Sequence, residues 1–68
     1  MTTYYVNKNP QINGDHEVHA ATCWFLPTAD NRLLLGEFAA CADAVREAEK
    51  YYLQSDGCAF CCSGCHKS

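Results

Sequence analysis

His19-Ala20-Ala21-Thr22-Cys23 and the later Cys58-Ala59-Phe60-Cys61 are the two stretches on which the reading of this chain turns. Two residues between cysteines let a tight turn present both thiolates to one ion, with backbone N–H groups aimed at the sulfurs. A three-residue spacer sets an imidazole and a thiolate on one side of a turn. Together, H-x3-C and C-x-x-C supply four nitrogen and sulfur donors, the number a closed tetrahedral zinc site takes. The donors come from opposite ends of the chain, so an ion held by His19, Cys23, Cys58 and Cys61 would staple the fold. Zn2+ is the expected cofactor, with iron as the alternative that a cysteine-rich site accepts.

A staple is what a chain of this size needs. Its 68 residues form one domain over 1–68, and such a chain buries only about 60% of the surface its unfolded form exposes. Hydrophobic residues make up 49%, but that share counts six cysteines. The large aliphatic core formers are few: Val6, Ile12, Val18, Leu26, Leu33, Leu34, Leu35, Val45 and Leu53. A cross-link or a metal must make up the difference.

Composition removes several classes. No apolar run approaches the ~20 residues of a membrane span. The opening Met1-Thr2-Thr3-Tyr4-Tyr5-Val6 has neither the basic nor the apolar region of an export signal, which points to a cytoplasmic chain. In a reducing cytosol six cysteines read as metal ligands or redox groups, and after export as a disulfide framework. Five Lys+Arg against eight Asp+Glu give a net charge of −3, with the cations scattered. That balance argues against nucleic acid, whose binding rests on Lys and Arg displacing phosphate counterions.

Tyr4-Tyr5-Val6 is β-prone, Asn13-Gly14 is a strong turn signal, and His16–His19 is placed to return as the antiparallel partner. Arg32–Gly36 reads as a third short strand. From about Ala40 to Leu53, Cys41, Ala44, Val45, Ala48 and Tyr52 form one stripe of a 3.6-residue period. Pairs Glu47–Lys50 and Arg46–Glu49 would decorate its solvent face, and Ser55-Asp56-Gly57 reads as the turn that ends it. The expected fold is α+β: two or three short antiparallel strands with one helix packed across them.

His19, Cys23, Phe25-Leu26, Phe38, Ala44 and Cys58-Ala59-Phe60-Cys61 give the stretch from Val18 to Cys61 a resemblance to the small zinc module of the Ada type. That family is best known from a bacterial DNA-alkylation repair protein, and related modules occur as tails on nuclease-like proteins. The layout is also similar to small bacterial proteins with no assigned role. The resemblance implies a strand, a helix and a four-ligand zinc site. In the repair protein the first ligand is a cysteine that accepts a methyl group. His19 stands there in this chain, and a zinc-held imidazole is no comparable nucleophile, so methyl transfer does not carry over. The stretch before Cys58 is also longer than the Gly-Tyr-Arg-Pro entry associated with the family.

Cys62-Ser63-Gly64-Cys65-His66 repeats the C-x-x-C pattern. Cys62, Cys65 and His66 could build a second metal site completed by Cys41 or His16, form a redox pair, or replace Cys58 and Cys61 in a shifted frame. Cys41 also reads as a small buried core residue on the helix stripe. Vicinal Cys61 and Cys62 are not expected to face one ion. Trp24, Phe25 and Phe60 are expected to wrap the metal, and Tyr4, Tyr5, Tyr51 and Tyr52 to cover the sheet or make a protein-binding patch. Four protein ligands leave no open position for water, so no enzyme is expected. The reading is structural metal binding in an interaction or adaptor module. Its alternatives are a thiol redox or metal-handling protein and, by family analogy, a nucleic-acid-binding module.

Overall fold

Val6 and Val18, both completely buried, face each other across the first hairpin and set the floor of the core. The computed structural model describes residues 1–67. Strands β1 (Thr2–Asn7), β2 (His16–Ala20) and β3 (Arg32–Phe38) precede helix α1 (Cys41–Ala48), and strand β4 (Ser55–Gly57) follows it. Short 3-10 turns occupy Ala29–Asn31 and Ser63–Cys65. The sheet runs β3-β1-β2-β4. The α+β architecture is as expected, but the sheet has four strands and is mixed.

The β1–β2 pairing sets Tyr5 opposite His19 and Val6 opposite Val18. Its loop closes on Gly14, whose φ of +92° is the left-handed conformation that favours glycine. Between β1 and β3 the register slips, with Tyr4 opposite Gly36 and Tyr5 opposite Leu34. The slip leaves Leu35 as the extra residue of a β-bulge, with Gly36 at φ +125° beside it. Leu35 is buried and Leu34 exposed.

Helix α1 buries Ala44, Val45 and Ala48 on Tyr4, Val6, Val18, Ala20 and Leu35. It is shorter than its apolar stripe. After Ala48 the backbone tightens: Lys50 donates to Glu47 O, and Tyr51 and Tyr52 both donate to Ala48 O. These contracted turns swing the chain back to the sheet, where Ser55-Asp56-Gly57 becomes a strand parallel to β2 rather than a terminating turn. Leu53 and Ile12 project into solvent, so neither joins the core. Glu47 pairs with Lys50 as expected, while Arg46 pairs with Asp43 instead of Glu49. Among the described residues no helix is long and apolar enough to cross a membrane.

Gly57 ends β4 against the tail. A Cβ there would lie 2.8 Å from Cys65 Cβ and 2.9 Å from the Cys62 carbonyl oxygen. Gly57→Ala is therefore expected to destabilise by about 1–3 kcal/mol, the usual cost of overpacking. Chemical denaturation of the metal-loaded chain would measure it.

Candidate metal centre

β2 delivers His19. Alternation along the strand turns Val18 and Ala20 to the helix side and His19 to the other face, and the imidazole is only 1% exposed. Just beyond β2, Cys23 N–H donates to Ala20 O in a tight turn. β4 delivers Cys58, whose N–H donates to Val18 O at 2.9 Å. The parallel β2–β4 pairing thus brings front and tail knuckles to one end of the sheet.

One ligand atom from each of His19, Cys23, Cys58 and Cys61 lies within 4.8 Å of the others. Among the described residues this is the one His/Cys/Asp/Glu group so arranged. Cys23 Sγ and Cys58 Sγ are 4.0 Å apart. Ala20 N–H donates to Cys61 Sγ and Phe60 N–H to Cys58 Sγ, both at 3.4 Å. Such amide donors stabilise thiolates. The four residues named from spacing alone therefore meet.

The two ring nitrogens of His19 differ. Nε2 faces Glu17 Oε1 at 3.6 Å. Nδ1 is buried with no hydrogen-bond partner. Burial holds the imidazole below its ordinary pKa, hence neutral. A neutral ring with a carboxylate near one nitrogen, beyond hydrogen-bond reach at 3.6 Å, and no partner at the other is free to take up a metal ion. Glu17 was not singled out from the sequence as a partner, although its place two residues before His19 on one strand puts both on one face. Glu17→Gln keeps the shape and removes the charge. It is expected to weaken zinc binding about 10-fold, the low end for an outer-shell partner, in a competition titration against a chromophoric chelator.

Burial pushes the thiols up, Cys23 to about 12 and Cys61 to about 11. Cys62 rises for the same reason. Without an ion, Cys23 and Cys61 are therefore protonated at neutral pH.

The remaining candidates go elsewhere. Cys41 and Cys65 form a disulfide at a sequence separation of 24. Cys41 is thus a cross-link at the start of α1 rather than a buried core thiol. His66 Nδ1 meets Gly57 O at 2.9 Å and lies 3.3 Å from Asp56 Oδ2. Buried Asp56 also accepts the Lys67 N–H. His16 stacks on Tyr52 at 4.0 Å and reaches Asn7 O through Nδ1. Cys41, Cys62, Cys65 and His66 are therefore not gathered into one ligand set. Cys62 keeps a free, buried thiol.

The disulfide ties the helix start to the tail, and closing a loop of this length stabilises by about 3 kcal/mol. Reduction, or Cys41→Ala, is expected to lower the melting temperature by about 10–20 °C for a domain of this size, as read by thermal CD.

The aromatic residues lie opposite to expectation. Trp24, Phe25 and Phe60 are 85%, 60% and 67% exposed. Sulfur and imidazole fill the inside of the two knuckles, so the residues at their crests face out. Phe25 and Phe60, one from each knuckle, meet edge to face at 5.4 Å. Of the tyrosines, Tyr4 is buried, Tyr5 lies under Arg32, and Tyr51 is exposed.

Comparisons with family models, with curated proteins and with solved structures return no match.

Proposed function

We propose that this protein is a small structural zinc module, with Zn2+ held by His19, Cys23, Cys58 and Cys61. The observation that carries this reading is the orphaned, buried Nδ1 of His19 in a residue that clusters with three free cysteines. A buried nitrogen without a partner costs about 1–3 kcal/mol, and coordination removes that cost. The donor set of one imidazole and three thiolates suits zinc. Four protein donors close the shell, so the ion has a structural and not a catalytic role. The likeness to Ada-type modules belongs to this reading and rests on the four ligand positions with Phe25-Leu26, Phe38 and Ala44.

In this reading the module is an adaptor for another protein. The support is the exposed Trp24, Phe25 and Phe60, carried on the two knuckles the ion would join. The net charge of −3 argues against a nucleic-acid partner. A reducing compartment would open the Cys41–Cys65 bond, and an oxidising one would keep it. Both forms of the tail then belong to the protein's chemistry.

Removing the metal from the purified chain with a strong chelator tests the function directly. Loss of the cooperative thermal transition, with its return on adding one equivalent of zinc, is the expected result. An unchanged transition in the metal-free chain would overturn it.

A further inference from the structure

We propose that the Cys41–Cys65 disulfide is an exchange site for a small anionic peptide thiol, which attacks Cys65 from the cleft between α1 and the tail and expels Cys41. The four metal donors take no part. Cys41 and Cys65 are both half-buried, whereas Cys23, Cys58 and Cys62 are buried. The bridge is therefore within reach of a solute. A cleft of about 210 Å³ opens beside it, walled by Val45, Arg46 and Glu49 of the helix and by Gly64, Cys65 and Lys67 of the tail.

Two observations set the direction of attack. The cleft is lined by Cys65 and not by Cys41. Cys41 is the first residue of α1, and the N-cap Ala40 supplies no side-chain hydrogen bond. Uncapped N–H groups and the positive end of the helix dipole favour negative charge on the Cys41 sulfur. Asp43, the carboxylate of that first turn, is paired with Arg46. The sulfur better able to carry charge leaves faster, so Cys41 departs and the incoming thiol stays on Cys65.

The lining selects the ligand. Arg46 and Lys67 offer two cations and Glu49 one anion, the inverse of two carboxylates and one ammonium. A tripeptide thiol of the glutathione kind carries that set. The cleft is smaller than the roughly 300–1,000 Å³ of ordinary ligand pockets, so it orients a visitor that the covalent bond then holds. The thiolate sulfur bonds to Cys65 Sγ, the Cys41–Cys65 bond breaks, and its electron pair leaves on Cys41. A second thiolate attacks the small-thiol sulfur of the mixed disulfide and frees Cys65. The protein gains two electrons and two small thiols lose one each. The protons those thiols gave up return to Cys41 and Cys65 through solvent. The tail thereby reports the redox poise of the surrounding thiol pool.

Brief exposure of the oxidised full chain to reduced glutathione, quenched with an alkylating agent and read by peptide mapping, tests the direction. Glutathione on Cys65 with the alkyl group on Cys41 is the expected pattern. The reverse pattern, or no exchange at all, would overturn the proposal. Reversing both cleft cations in an Arg46→Glu/Lys67→Glu chain tests the recognition, and both side chains are exposed, so the core is left intact. Rates of disulfide reduction by glutathione and by uncharged mercaptoethanol are compared in each chain. The ratio of the two is expected to fall about 10-fold in the variant, the low end of electrostatic steering. An unchanged ratio would contradict the cleft as the thiol's entry.

Discussion

Cys58→Ser is expected to lower zinc affinity by more than about 100-fold, beyond the effect of losing an outer-shell partner. Cooperative folding should be lost with it. Cys58 is 3% exposed and follows directly on β4. Its N–H is tied to Val18 O, and its sulfur stands 4.0 Å from Cys23 Sγ. It is therefore the donor through which an ion would lock the tail to β2. Structural zinc contributes roughly 10–16 kcal/mol in small modules, as much as the net stability of about 5–15 kcal/mol of a whole domain. The core here is mainly Val6, Val18, Leu35, Val45, Tyr4 and small residues, too little to replace such a contribution. Chelator competition and thermal CD would measure both effects. A variant that binds and melts like the wild type would count against the site.

The second large effect is on pH. Cys23 and Cys61 have pKa values raised to about 12 and about 11, so both are protonated at neutral pH in the metal-free chain. Zinc binds thiolates, hence each ligand thiol gives up its proton on binding. His19, held below its ordinary pKa by burial, is already neutral and releases none. Counting the Cys23 and Cys61 protons, zinc affinity is expected to rise by up to about two decades per pH unit around neutrality, one decade per proton. The sign for the metal-free fold is the reverse. Thiols with raised folded-state pKa values support that fold below the unfolded value near 9, and the support is lost as pH rises toward 11–12. Calorimetry in buffers of different ionisation enthalpy would count the protons directly. A pH-independent affinity would exclude Cys23 and Cys61 as thiolate ligands.

Much of this was legible because the relevant forces are local. Tyr4-Tyr5-Val6 and Asn13-Gly14 specify a hairpin by alternation and turn chemistry, and its register follows. The stripe of Cys41, Ala44, Val45 and Ala48 specifies a helix face. Ligand spacing specified the site, since metal geometry restricts which donors fit. The misreadings arise where tertiary contacts decide. Ser55-Asp56-Gly57 has turn composition, yet backbone pairing to β2 and the Asp56–Lys67 contact make it a strand. The same pairing cuts the helix short. The Cys41–Cys65 bond depends on where the tail crosses the helix start, which no spacing encodes. Apolar composition placed Trp24, Phe25 and Phe60 inside, but it does not say which side of a knuckle a side chain takes.

X-ray absorption at the zinc edge of the loaded chain tests the centre most directly. Three sulfurs at about 2.3 Å and one nitrogen at about 2.0–2.1 Å are expected, with the nitrogen lost in His19→Ala. A first shell dominated by oxygen, or one unchanged by that substitution in a zinc-loaded chain, would contradict His19, Cys23, Cys58 and Cys61 as the ligands.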